Sequence, residues 1–202
     1  MLLLGGKEYV ALMHLHKDAT IEEVRSIFDK FIGKINQLPP VRSNVKRQIR
    51  EREVYYINLL DFKDRDVLFK VGVESGTYIR KLIHDMGEYS GLGAHMVELR
   101  RTKVANLNED SHLVTLDQLE DAMYEYKNGD KSKLDYALRN IEEALDFMPK
   151  VWISDSAVDP VCHGSPLAYP GLIKFNEFYK GERVFISTLK NELVGIGIAL
   201  LD

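Results

Sequence analysis

The sequence predicts an α/β (α+β) fold: a mixed, mainly antiparallel sheet with flanking helices, followed by a small, incomplete barrel-like β segment. Three observations carry that expectation. Apolar runs of strand character recur over the first half, and two of them are joined by Lys63-Asp64-Arg65-Asp66, a hairpin signature. Runs with helical periodicity stand between them, two opened by capping boxes. After Pro149 the texture changes to short apolar runs punctuated by Gly and Pro.

Residues 7–16 read as a strand, apolar on both faces through Val10, Ala11, Leu12, Met13 and Leu15, and so central in a sheet. Thr20 with Glu23 opens a helix whose Ile21, Val24, Ile27, Phe28 and Phe31 recur at helical spacing until Gly33. Leu38-Pro39-Pro40-Val41 is extended, because a proline excludes its predecessor from the helical region. The hairpin strands are 54–62 and 67–74. Ile79, Leu82, Ile83 and Met86 mark one face of a helix ending near Gly91 or Gly93, and 96–103 is extended again. Thr115 with Gln118 opens a helix through Leu116, Leu119, Ala122 and Met123, which Asn128-Gly129-Asp130 breaks. A further single helix spans Leu134, Leu138, Ile141 and Leu145. Strands follow at 151–153, 184–186 and 193–196. The change of texture places a domain boundary between 1–148 and 149–202.

A chain of 202 residues, 45% hydrophobic and 29% charged, is that of an ordinary globular protein with an ample core. No apolar run approaches the roughly 20 residues of a spanning helix, and no secretory signal pattern is present, so no membrane association is expected. The single cysteine, Cys162, excludes an internal disulfide and a multi-cysteine zinc site, and the expected setting is reducing and cytoplasmic. A net charge of −4 argues against nucleic acid, whose phosphates favour basic partners. The charge is uneven, however: Arg42, Lys46, Arg47, Arg50 and Arg52 crowd one segment, while acids concentrate between Asp110 and Asp146.

Several residues could carry chemistry. Arg80 falls in the first turn of its helix, where the dipole favours anions. It either pairs with a structural carboxylate or fixes a carboxylate or phosphate in a pocket, with Tyr78 either core or a ring face beside it. Lys7 and Tyr9 share a strand face, as a cation for a phosphate and a ring for a base would. His14 and His16 also share a face but have no third ligand nearby in sequence, which favours structural histidines over a metal site. Cys162 and His163 are adjacent, which does not aim the imidazole at the thiol.

As ordered text, these residues resemble a known family. Lys7-Glu8-Tyr9-Val10, then Gln37-Leu38-Pro39-Pro40-Val41-Arg42-Ser43-x-Val45-Lys46-Arg47, then Gly76-Thr77-Tyr78-Ile79-Arg80-x-Leu82-Ile83-His84, then Gly93-Ala94-His95-Met96-x-Glu98-Leu99-Arg100-Arg101-Thr102 follow the order found in the TruB/dyskerin pseudouridine synthases. The Pro-Pro-Val-Arg-Ser and Gly-Ala-His-Met forms look like the archaeal and eukaryotic branch, the catalytic subunit of box H/ACA ribonucleoproteins. Asp155-Ser156-Ala157-Val158, His163-Gly164, Leu167, Pro170-Gly171 and Gly181 look like that branch's PUA domain. The resemblance implies isomerisation of uridine to pseudouridine in guide-paired rRNA or tRNA, without a cofactor. It assigns Tyr9 to stacking on a flipped base, Tyr78 to the uracil ring, Arg80 to pairing with the catalytic aspartate and Leu99 to packing against the base. Lys7 and the stretch with Arg42, Lys46, Arg47 and Arg50 would hold RNA, as would His163, Gly164, Pro170 and Gly171 in the PUA segment.

Two departures qualify the resemblance. The family's Gly-x-Leu-Asp motif, which bears the nucleophile, does not occur in the 202 residues, and Ala105 stands where the Leu-Arg-Arg-Thr-x-x-Gly pattern has glycine. The chain is therefore expected to be the C-terminal portion of such an enzyme, inactive alone and needing a polypeptide with the missing aspartate. Small H/ACA accessory proteins are further expected partners. Without its aspartate, Arg80 is expected to lie uncompensated in an apolar floor, a state that costs about 3–5 kcal/mol, and the sheet to show an open edge. The alternative is a non-catalytic RNA-binding or scaffolding module.

Overall fold

The computed structural model describes residues 5–39, 46–110 and 113–200, which fall into two compact units, Met1–Glu109 and Asp110–Asp202. The first unit is built on a six-stranded sheet. Its strands are β1 (Lys7–Leu15), β2 (Gly33–Gln37), β3 (Arg50–Lys63), β4 (Asp66–Val73), β5 (Ala94–Val104) and β6 (Leu107–Asn108), in the spatial order β2-β3-β4-β1-β5-β6, with all pairings antiparallel. As the sequence indicates, β1 lies inside the sheet, between β4 and β5. Helices α1 (Ile21–Phe31) and α2 (Ile79–Ser90) cover one face.

Alternation decides what that face buries. On β1 it takes Ala11, Met13 and Leu15, each about 1% exposed, because residues two apart on a strand point the same way. These meet Val67, Phe69, Val71 and Val73 of β4 and Val54 and Ile57 of β3. Val24, Ile27 and Phe28 of α1 and Ile79, Leu82, Ile83 and Met86 of α2 close the core from above. Thr20 caps α1 in the predicted capping box, its side chain accepting from the Glu23 N–H while Glu23 reaches back to the Thr20 N–H. The opposite face is polar or half-buried, so β1 is not equally apolar on both sides.

Two parts of this unit differ from the sequence reading. β2 follows directly on α1 and pairs Gly33 to Gln37 with Val54 to Arg50, a strand whose alternating Lys-Ile-Asn-Gln pattern is too polar to announce itself. β3 begins at Arg50 rather than Val54 for the same reason: its partner supplies the order, not its own apolarity. Ala105, with φ 53°, keeps the left-handed backbone that the family's glycine admits freely, and its N–H donates to the Gly6 carbonyl at 2.8 Å. Among the described residues β5 is paired on its outer side only at Lys103 and Val104, by β6.

The second unit carries α3 (Leu116–Lys127), α4 (Ser132–Ala137), α5 (Ile141–Ala144) and α6 (Asp155–Cys162), with strands β7 (Lys150–Ile153), β8 (Leu172–Phe175), β9 (Arg183–Ser187) and β10 (Leu193–Ile198). The strands form an open sheet in the order β10-β9-β7-β8, with β7 and β9 parallel. Val151, Ile153, Val184 and Ile186 form its core with Ala157, Val158 and Val161 of α6. The single helix expected over Leu134 to Leu145 is two short ones, because the chain turns extended at Leu138. α6 was not expected at all; Pro160 lies within it, and five of its eight residues are exposed while Ala157, Val158 and Val161 are half-buried.

Candidate active site

The site grows from the start of β1. Tyr9 lies opposite Arg101 of β5, and Ala11 opposite Leu99. Directly opposed residues of antiparallel strands project to the same side, so Tyr9, Leu99 and Arg101 share the helix-covered face, with Lys7 two residues before Tyr9 on that face as well. Tyr9 is half-buried against the core, and Leu99 is 38% exposed. The Lys7 ammonium donates to the Gly5 carbonyl at 2.7 Å and to Ser75 Oγ at 3.0 Å, tying β1 to the turn that carries the chain from β4 into α2. Burial, and then the positive charge of Arg101, push the Lys7 ammonium below its ordinary pKa. Like charges on neighbouring strands disfavour each other's charged form.

That turn ends at Tyr78, the N-cap residue of α2. Gln37, at the end of β2 and 2% exposed, accepts the Tyr78 N–H on Oε1 at 3.0 Å and donates from Nε2 to the Tyr78 carbonyl at 3.2 Å. The structure thus brings Lys7, Tyr9, Tyr78 and Leu99 to β1, its neighbour β5 and the head of α2. Arg80 stands there too, but the expectation of a buried arginine fails. Its side chain is exposed at the second position of α2 and makes no ion pair among the described residues. Solvent offsets its charge, so the cost of an uncompensated buried arginine does not arise.

Sequence reasoning missed a second polar constellation on the opposite face of the sheet. Glu8, with its side chain 17% exposed, accepts Tyr56 O–H at 2.6 Å and Thr102 O–H at 2.7 Å, with the Lys70 ammonium 3.5 Å away. Tyr56, Gly72 and Glu8 are successive partners across β3, β4 and β1. A Cβ on Gly72 would stand 2.4 Å from the Tyr56 ring, so glycine is what lets that ring cross β4. Burial pushes the Glu8 carboxyl up, yet the Tyr56 and Thr102 hydrogen bonds and the Lys70 charge outweigh it and hold the group below its usual range. Burial and the Glu8 hydrogen bond push the Tyr56 phenol up to about 12. The signal available in sequence was the glycine between Val71 and Val73 inside a strand.

Of the basic segment, Arg42 lies outside the described residues. Lys46 and Arg47 are exposed, while Arg50 and Arg52 are half-buried at the start of β3. The Nε groups of Arg50 and Arg52 are buried without a hydrogen-bond partner among the described residues; an unmet buried donor costs about 1–3 kcal/mol. Arg52 does use Nη1, on the Glu51 carbonyl at 2.8 Å. In the second unit, Pro170 and Gly171 form a 3-10 turn, and a Cβ on Gly171 would meet Ala157 of α6 at 2.9 Å. His163 and Gly164 close the other end of α6; His163 Nδ1 lies 2.8 Å from the Asp159 carbonyl rather than being committed to the exposed Cys162.

The histidines gain neighbours that the sequence hid. β-pairing sets His14 opposite both Asp66 and His95, with His14 Nδ1 2.6 Å from Asp66 and His16 Nε2 3.0 Å from His95 Nδ1. Among the described residues no group of three or more His, Cys, Asp or Glu side chains has the geometry to hold a metal ion. No helix among them is long and apolar enough to cross a membrane.

Three family models divide nearly the whole sequence between them. That of the TruB family pseudouridylate synthase N-terminal domain matches residues 6–79, that of the tRNA pseudouridylate synthase B C-terminal domain matches 80–146, and that of the PUA domain matches 149–202. The chain belongs to the TruB family. It is 50% identical over 203 residues to a probable tRNA pseudouridine synthase B of Pyrococcus abyssi, covering all of this chain and 61% of that protein. It is 47% identical over 201 residues to the protein so described from Methanopyrus kandleri, covering 98% and 59%. Among solved structures it superposes on a chain of a Cbf5-Nop10-Gar1 complex with a TM-score of 0.95 at 50% identity, covering 99% of this chain and 62% of that one. It also superposes on a chain of an H/ACA ribonucleoprotein bound to a substrate RNA containing 2′-deoxyuridine, with a TM-score of 0.89 at 47% identity, covering 99% and 61%. The chain thus spans about three-fifths of the length of these TruB-family relatives. Its residues 6–79 match the N-terminal domain of the family, so the expectation of a C-terminal portion alone is not supported.

Proposed function

We propose that this TruB-family chain contributes the uridine-binding half of an RNA pseudouridine synthase of the H/ACA type. The observation that carries the reading is the convergence of Tyr9, Leu99 and Arg101 on one face of paired strands beside the turn bearing Tyr78 and Arg80. Tyr9 stacks on an extruded uracil, Leu99 lends an apolar wall, and Tyr78 faces the ring. Arg80 holds a nucleophilic carboxylate through its planar fork. The Gly-x-Leu-Asp sequence that would bear this carboxylate lies outside these 202 residues, on the same chain or on a partner.

The reaction breaks the bond from C1′ to uracil N1 and makes one from C1′ to C5; C5 gives up its proton and N1 gains one. No electrons are exchanged, so the balance calls for no cofactor. Lys7, Lys46, Arg47 and Arg50 meet RNA phosphates. In the PUA segment His163, Gly164, Pro170 and Gly171 hold RNA. Relatives resolved with Nop10 and Gar1 make small proteins of that kind partners to test.

Tritium release from RNA labelled at uracil C5 reads the reaction directly. The 202-residue chain should bind guide-paired RNA without releasing label, and release should begin when a polypeptide bearing Gly-x-Leu-Asp is added. Binding by the mixture with no release would refute the enzymatic reading and leave the scaffold reading.

A further inference from the structure

The Gln37 clamp on Tyr78 has a geometric meaning beyond the polar satisfaction of a buried amide. Both hydrogen bonds end on one residue: Oε1 takes the Tyr78 N–H, and Nε2 gives to the Tyr78 carbonyl. The two peptide planes flanking the Tyr78 Cα are thereby fixed by one side chain. With them are fixed φ (−95°) and ψ (104°), and so the direction of the Cα–Cβ bond that aims the ring. Among the described residues no other side chain bonds the Tyr78 backbone. Tyr78 lacks a side-chain cap, and its carbonyl otherwise serves only the first helical turn, accepting from Leu82 N–H at 2.9 Å. The clamp spans 41 residues of sequence, from β2 to the head of α2.

We infer that Gln37 is a positioning residue for the Tyr78 ring. It touches no substrate and acts through the Tyr78 backbone, holding the ring at the angle the uracil requires. The inference rests on the proposed reading of the site as a uridine pocket, but the clamp can be tested apart from it.

The first arm uses the 202-residue chain without RNA. Gln37→Met keeps the length and apolar volume of the side chain and removes both hydrogen bonds. Amide hydrogen exchange at Tyr78 should quicken about tenfold or more while the other core amides stay protected. Unchanged exchange at Tyr78 overturns the inference.

The second arm measures pseudouridine formation by the chain combined with its Gly-x-Leu-Asp polypeptide and guide-paired RNA. Gln37→Met should lower kcat about 10- to 100-fold, the scale of a mis-aimed group near the chemistry, and leave RNA affinity within about twofold. Gln37→Glu gives a signature that simple destabilisation does not. Its carboxylate accepts the Tyr78 N–H but repels the carbonyl, whereas its protonated form restores both bonds. Its kcat relative to wild type should therefore recover as the pH falls, and that of Gln37→Met should not. Equal kcat for all three, or a Gln37→Glu deficit independent of pH, overturns the positioning role. A wild-type mixture that makes no pseudouridine refutes the functional reading instead, and the exchange arm still decides the clamp.

Discussion

Ala105 sits in a backbone conformation that costs an L-residue about 1–2 kcal/mol, and the fold accepts that cost to keep the N–H of Ala105 on Gly6 at the mouth of the site. Ala105→Gly should therefore raise stability by about 1 kcal/mol, less the entropy glycine gains in the unfolded chain. A lower urea midpoint for the variant would show the strain to be relieved in some other way. A second residue-scale prediction concerns Glu8. Its carboxyl is held below the usual range, so its contribution is complete above about pH 4.3, the ordinary carboxyl value, and is lost as the pH falls through the lower folded value. Tyr56, pushed up to about 12, behaves oppositely: its contribution is complete below about pH 10 and fades as the pH rises toward 12. Tyr56→Phe deletes the hydrogen bond to the carboxylate and should cost about 1.5–3 kcal/mol at neutral pH. Urea titrations of both proteins should converge in acid; a gap as wide at pH 3 as at pH 7 would mean that the Glu8 charge is not what Tyr56 recognises.

At the scale of elements, what was legible is what repeats. β1, α1, α2 and the β3–β4 hairpin announced themselves because their apolar residues recur at the period of the element and their ends carry capping boxes or turns. β2 and the first residues of β3 did not, since Lys34, Asn36, Arg50 and Arg52 owe their extended form to each other's backbone hydrogen bonds. The proposed site divides in the same way: Tyr9, Tyr78 and Leu99 are assigned to it by ordered motifs, whereas the Gln37 clamp and the Glu8 network depend on contacts between residues far apart in the chain. Arg80 marks the limit, because spacing placed it in the right turn but could not tell an exposed arginine from a buried one. The packing of α2 on β5 carries its own test. A Cβ on Gly87 would lie 2.2 Å from the Ala94 backbone nitrogen, so neither a rotamer nor a flexible side chain can make room. Gly87→Ala should push the helix off the strand and cost about 1–3 kcal/mol, the range of overpacked cores. Because α2 carries Tyr78 and Arg80 at its head, the pseudouridine formation proposed for the chain combined with a Gly-x-Leu-Asp polypeptide should fall with it. A variant of unchanged melting temperature and activity would show that the helix and strand separate freely.

For the molecule as a whole, net charge and local charge make opposite forecasts about RNA. A chain at −4 should repel a polyanion, yet Lys7, Arg101, Lys46, Arg47 and Arg50 gather in the first unit, while many of the acids lie between Asp110 and Asp146 in the second. Counterion release is local: each phosphate neutralised by a nearby cation contributes about 0.7 to the slope of log affinity against log salt for a single strand. Total charge enters only through a field screened beyond about 8–10 Å at physiological ionic strength. Two double reversals separate these effects. Lys46→Glu with Arg47→Glu, and Lys127→Glu with Lys131→Glu, each lower the net charge by the same amount, and all four side chains are exposed. The first pair should weaken binding to a guide-paired RNA and reduce the magnitude of the salt slope by about 1–1.4. The second should leave slope and affinity nearly unchanged. Equal losses from both pairs would mean that the overall field governs binding, and would remove the basic segment from the RNA interface.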